Sequence, residues 1–368
     1  MAHDIKTERA GLPIFAIAIW AAVLLIAFFA NRGSDVGQLG KLVGNLGGGP
    51  LFGWDGFRDS FIGGLIAAVV LIACFGLGSL ITGFIRRERN ENHSHVLEIV
   101  ASIAVGAAGW SVVWFFLGLA GSYNPAIAIV AILLGVVLAV NGLRRIRAMR
   151  GESRTPEQAS SNDTLLLVLI AIPVVLALIA ALAPPTAKDT LLYHFALPKA
   201  FIAQHSNAFV EGNIASYLAL GAEMHNVWAM LLGGLIDVRT AEAAAGAVNW
   251  LFFPLLLAAV FGWSREIQIS RRSSLVAVLM VAAVPSIYHV ASSAYIDVEL
   301  ALYVTLAVYG LTRWWQTLGI GWLILTAAFL GAALSIKLTT LFIFAAIALI
   351  IVIRARDAEG KDAGRIIA

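Results

Sequence analysis

The chain has 368 residues, 60% hydrophobic and 13% charged, with a mean hydropathy of +0.88. A soluble domain of this length is nearer half apolar and a quarter charged, so a water-soluble globular fold is excluded and the excess apolar surface must face lipid. The net charge is +3 and the pI 9.1, yet the basic residues fall in short clusters between apolar runs. That distribution is an orientation signal and argues against nucleic acid as a partner.

Apolar runs long enough to span a bilayer occur at about 12–30, 60–85, 97–120, 124–143, 164–183, 240–263, 274–291 and 294–312. The first lacks a small-residue cleavage site after it and reads as a retained helix rather than a signal peptide. A last run, 321–353, would form a helix of roughly 50 Å, too long for one crossing. Ser335, Lys337, Thr339 and Thr340 interrupt it, and two short helices meeting near Lys337 are expected. Each is only about 24 Å long, which requires tilt or local thinning. The expectation is an all-α integral membrane protein of about ten transmembrane helices. The single cysteine, Cys74, lies inside an apolar run, so there is no disulfide framework.

The charges orient this topology. With the N-terminus inside, the inner segments carry Lys6, Arg9, Arg86, Arg87, Arg89, Arg144, Arg145, Arg147, Arg150 and Arg154. They continue with Arg265, Arg271, Arg272, Arg313, Arg354, Arg356, Lys361 and Arg365, in all 18 of the 25 basic residues. The outer segments hold Arg32, Lys41, Arg58, Lys188, Lys199, Arg239 and Lys337. The positive-inside rule therefore puts both ends in the cytoplasm and the chain in the cell's inner membrane, with membrane lipids around it.

Four parts follow from this reading. Residues 1–150 form an N-terminal four-helix block, and 151–163 a polar cytoplasmic linker. Residues 164–353 form a membrane core, and 354–368 a cytoplasmic tail. The core contains the longest outer loop, 184–239, which opens with Pro184-Pro185, a pair that cannot continue a helix. Within it, 191–204 and 219–235 are apolar but carry His, Lys and Glu, the mixture expected of interfacial helices. The glycine-rich stretch 37–50 is not a phosphate loop, because Gly40-Lys41 is followed by Leu42 and no strand precedes it.

Ionisable groups near membrane depth cost about 2.5–3.5 kcal/mol each on insertion scales, so each needs a reason. Three lie at the outer face: Asp189 after the double proline, Asp297 at the outer end of the eighth span, and Lys337 at the last helix junction. Singly, each reads as a snorkelling or interfacial charge. As a set they put two carboxylates and an ammonium within reach of a lipid headgroup. Around them stand Tyr193, one helical turn after Asp189, with His194; Tyr288, His289 and Tyr295 before Asp297; and Glu223 and His225 in the second interfacial segment. Aromatic residues at this level also serve as headgroup anchors. No His/Cys cluster has zinc spacing, and no Gly-x-Ser-x-Gly or His-Glu-x-x-His motif appears.

Pro184-Pro185, Asp189 to His194 and Leu197-Pro198-Lys199 together resemble the first outer loop of the GT-C membrane glycosyltransferases. The nearest likeness is to the bacterial protein O-mannosyltransferase and aminoarabinose-transferase group. The likeness continues through Tyr217 to Glu223, Ala294 to Asp297 and Gly331 to Lys337, covering about 164–353. It implies a GT-C-like core that moves a sugar from a polyprenyl-phosphate-linked donor to an acceptor hydroxyl at the extracytoplasmic face. It implies Asp189 as catalytic base and Asp297 as a second acidic residue shaping the acceptor or metal site. Lys337 would face the donor phosphate, together with Arg239 or His194, and Tyr193, Glu223, His225, His289 and Tyr295 would line the acceptor or substrate site. One base and no covalent partner imply inversion at the anomeric carbon.

Several relatives have two acids side by side where this chain has Lys188-Asp189-Thr190, which argues against a metal there and leaves a divalent cation open. The family core has at least seven helices, whereas six follow residue 163 here, so a shortened member or a requirement for a partner membrane subunit fits as well. Two other readings compete: a non-catalytic GT-C-like subunit or scaffold, and a lipid or solute transporter or flippase. A transporter would place its charges near the midplane on broken helices in repeated halves, and no internal repeat is found.

Overall fold

The computed structural model describes residues 53–85, 94–149 and 161–359, and parts of 19–41. About half of the first expected span, most of the glycine-rich stretch and of the linker, the basic cluster at 86–89 and the end of the tail lie outside the described residues. No strand occurs among the described residues. The chain divides into two units, Met1–Phe57 and Arg58–Ala368. In the first, an apolar helical stretch runs over Ala22–Asn31. The second holds nearly all that follows.

The helices in order are α1 (Trp54–Ile85), α2 (His95–Leu119), α3 (Pro125–Met149), α4 (Ser161–Leu182), α5 (Ala196–Ala203), α6 (Glu223–Gly233) and α7 (Val238–Glu266). They continue as α8 (Arg271–Ala282), α9 (Pro285–Ser292), α10 (Asp297–Thr317), α11 (Ile320–Ile336) and α12 (Leu341–Glu359). A π-turn at Thr190–His194 and 3₁₀ turns at Ile214–Tyr217 and Leu338–Thr340 complete them.

By length and composition, α1, α2, α3, α4, α7 and the stretch Leu338–Arg356 can each cross a membrane. A seventh crossing results if α8 and α9 count as one span, bent by 66°. The sequence reads 274–291 as one straight helix. It breaks because Pro285, which has no N–H to donate, starts α9 instead of extending α8. The ten expected spans also include α10, which carries Asp297, Glu299 and Arg313, and α11, of 17 residues. The long run 321–353 does divide at Lys337: α11 ends at Ile336 and Lys337 is extended, at φ −151° and ψ 122°.

With no hydrophobic drive between helices in lipid, close packing of small residues and internal hydrogen bonds hold the bundle together. Gly78 of α1 and Gly106 of α2 face each other so closely that a Cβ on either would overlap the other helix's backbone carbonyls. An aromatic cluster fills the centre. The Trp110 and Trp228 rings are 4.9 Å apart and those of Trp114 and Trp228 5.7 Å. Trp110 Nε1 donates to the Ala73 carbonyl and Trp228 Nε1 to that of Ala128, each at 3.2 Å. Short α6 is enclosed by α2, α5 and α7, and its residues from Glu223 to Leu231 are all buried. By contrast α4 and α12 leave most of their side chains exposed, as lipid-facing helices do.

Candidate active site

Four segments meet at one end of this bundle. Pro184 and Pro185 stop the helix that precedes them, and Asp189 follows directly before the π-turn. Thr190 Oγ1 donates to the Ser293 carbonyl, which pins the turn to the link between α9 and α10. Asn213 Nδ2 donates to the Leu192 carbonyl at 3.0 Å and pins it from the other side. In this turn Tyr193 OH donates to Asp189 Oδ2 at 3.3 Å. Burial, then the charge and hydrogen bond of Asp189, then the charges of Glu223 and Asp297, push the Tyr193 hydroxyl up to about 12. Tyr193 therefore stays a neutral donor, at the point where the fields of three carboxylates meet.

Beneath Tyr193 the site is buried. His194 Nδ1 is 2.6 Å from Glu223 Oε1, and both residues are buried. The His194 carbonyl accepts from Asn226 Nδ2 at 3.0 Å, and Asn226 Oδ1 accepts from Asn249 Nδ2 at 2.6 Å. Glu223 Oε2 has no hydrogen-bond partner. The Tyr295 ring lies 5.7 Å from both His194 and His289. The turn that delivers Tyr295 passes through Ala294 at φ 55°, a left-handed conformation unusual for a residue with a side chain.

Asp297 opens α10, and its Oδ1 accepts from Lys337 Nζ at 2.7 Å. The break after α11 is held close by neighbouring contacts: Gly221 N donates to the Ser335 carbonyl at 2.7 Å, and Ser111 Oγ to the Gly221 carbonyl at 2.6 Å. A Cβ on Gly221 would strike Ser335, so only glycine allows this approach. Beside it opens a cavity of about 450 Å³, lined mainly by apolar side chains including Val112, Phe115, Phe116 and Leu220.

Of the residues singled out in the sequence, Asp189, Tyr193, His194, Glu223, Tyr295, Asp297 and Lys337 come together, with His289 at the edge. Arg239 stands elsewhere. Its guanidinium donates to the Leu182 carbonyl and lies 3.9 Å from Glu242, in a charged group with Arg58, Asp59 and Asp237. His225 points into the bundle, where Nδ1 is 3.4 Å from Glu299 Oε1 and Nε2 donates to the Ala107 carbonyl at 3.0 Å. Burial pulls its imidazole down, but the Glu299 carboxylate outweighs this and the net shift is upward. Glu299 was missed in the sequence, although a carboxylate two residues inside an apolar helix is itself the signal. Among the described residues no group of three or more His, Cys, Asp or Glu is placed to hold a metal ion. Asp189 is engaged by Tyr193 and Asp297 by Lys337.

Residues 216–367 match the family described as dolichyl-phosphate-mannose-protein mannosyltransferase, which belongs to the GT-C superfamily of membrane glycosyltransferases. The matched stretch is similar to that family. The match spans less than half of the chain. It takes in Glu223, Tyr295, Asp297 and Lys337, while Asp189, Tyr193 and His194 lie ahead of its start. No curated protein and no solved structure gave a match. The apolar helices make the chain a multi-pass membrane protein, and the family match supports a membrane glycosyltransferase of GT-C type.

Proposed function

We propose that the protein transfers a sugar from a polyprenyl-phosphate donor to an acceptor hydroxyl, with inversion, at the extracytoplasmic face of the inner membrane. The observation that carries this reading is the meeting of Asp189, Asp297 and Lys337, from three separate segments, around Tyr193.

The chemistry follows from the groups present. The acceptor oxygen attacks the anomeric carbon as its proton passes to Asp189, which Tyr193 orients. The bond from the anomeric carbon to the phosphate oxygen breaks, and the leaving polyprenyl phosphate gains negative charge. It is already a weak base, so charge stabilisation matters more than protonation. Lys337 supplies that stabilisation by passing from Asp297 to the phosphate. The apolar cavity beside Ser335 takes the isoprenoid chain nearest the phosphate. The buried His194–Glu223 pair forms the floor and keeps water from the reacting centre. The clustering of basic residues in alternate segments supports a cytoplasmic position for both chain ends.

The purified protein, incubated with radiolabelled polyprenyl-phosphate sugars and a membrane extract as acceptor source, tests this. Label is expected to move to an acceptor from the lipid-linked donors and not from nucleotide sugars. Transfer from nucleotide sugars alone would overturn the donor assignment.

A further inference from the structure

Two helices start at the site, and they start alike. Glu223 is the first residue of α6 and Asp297 the first of α10. Both carboxylates act on Tyr193. Two residues on, roughly 200° round each helix, stand His225 and Glu299, and these two face each other across the interior at 3.4 Å. Both are buried, at 2% and 3% exposure. Helix α6 packs chiefly on α7, and α10 packs chiefly on α11 and secondarily on α7. The His225–Glu299 contact joins them directly to one another, about half a turn along from the residues they bring to the site.

We infer that His225 and Glu299 are a positioning pair, fixing the start of α10, and with it Asp297 and Lys337, against the Glu223–His194 floor. The chemistry of the pair suits a directional tie. The Ala107 carbonyl can only accept, so His225 Nε2 carries a proton. Nδ1 faces a carboxylate, and a bare lone pair there would repel it, so one further proton belongs to the pair. Glu299 Oε2 and His225 Nδ1 have no hydrogen-bond partner, so the 3.4 Å approach of Nδ1 to Oε1 is the charge contact that offsets the burial of this carboxylate. Burial of such a pair is a poor source of stability compared with apolar packing, and its best-attested use is to fix register. Loss of the tie leaves the start of α10, whose main packing is on α11, free to move away from α6, which separates Asp297 from the floor and loosens its hold on Lys337.

This inference rests on the proposed transferase reading for its kinetic effect, and its structural effect can be read without activity. The rate of amine acylation at Lys337, followed by mass spectrometry in the full-length protein in detergent, reports the Lys337–Asp297 pair. Lys199, paired with Glu242 at 2.5 Å, serves as internal reference. Glu299→Ala is expected to raise Lys337 labelling several-fold with Lys199 unchanged, and to lower kcat about tenfold or more with little change in donor KM. Glu299→Gln, which keeps a hydrogen-bonding partner for His225, is expected to restore both. The double variant His225→Leu with Glu299→Met leaves no buried charge unpaired and so remains folded if Glu299→Ala does not; it too should label faster at Lys337. Unchanged Lys337 labelling in these variants, or an equal rise at Lys199, overturns the positioning role. If labelling changes as expected but the wild type transfers no sugar, the pairing role stands and the transferase reading falls.

Discussion

Lys337 Nζ lies 2.7 Å from Asp297 Oδ1, tying the break between α11 and α12 to the first residue of α10. The two side chains are 46% and 40% exposed. An ion pair this open is worth only about 0–1 kcal/mol, so an arriving phosphate can draw the ammonium away at little cost.

Lys337→Ala should therefore lower transfer by about 10²–10³, the usual loss when one donor to a developing oxyanion is removed. Michaelis parameters against donor concentration check this, with the fall expected mainly in kcat. A change in KM alone would assign Lys337 to uniform binding.

Tyr193→Phe deletes one hydrogen bond to Asp189 and keeps the ring against His194. At about 0.5–1.5 kcal/mol for such a bond, transfer should fall about two- to tenfold. A loss above a thousandfold would make Tyr193 a proton-transfer group in its own right.

The His225–Glu299 pair gives stability a defined pH dependence. The His225 imidazole is raised above its ordinary 6.5 by Glu299, with Glu223 and the Ala107 carbonyl adding to it. Its contribution is therefore fully present below about pH 6.5 and is lost as pH rises through the higher folded value. Thermal unfolding in detergent at about pH 6 and pH 9 should show a larger fall for the wild type than for Glu299→Gln. Equal falls would contradict the pairing.

Trp228 is fully buried, contacts two other Trp rings and donates to the Ala128 carbonyl. Trp228→Ala should cost about 3–5 kcal/mol, as aromatic truncation in a packed core does. Unfolding in detergent measures this. A loss below about 1 kcal/mol would mean that the cluster is not a packed core.

Much of this site was legible because charge is costly in an apolar sequence. Asp189, Asp297 and Lys337 stood out against lipid-facing runs, and Lys337 marked a real break in a run too long for one crossing. What the linear sequence hides is direction. Glu223 and His225 look like neighbours, yet a helix turns them to opposite sides, one to the floor of the site and one to Glu299. Arg239 shares a loop with Glu223, but the Leu182 carbonyl and Glu242 hold it in a different charged group. The bend between α8 and α9 was also missed, since an apolar run of ordinary span length gives no reason to weigh Pro285 above its neighbours.

The most direct test compares the wild type with Asp189→Asn in the transfer assay with radiolabelled polyprenyl-phosphate sugars. Asparagine keeps the shape and a hydrogen bond with Tyr193 but cannot take a proton. Loss of about 10²–10⁴ in transfer by a folded variant is the expected result. Equal transfer by both proteins would contradict Asp189 as the base.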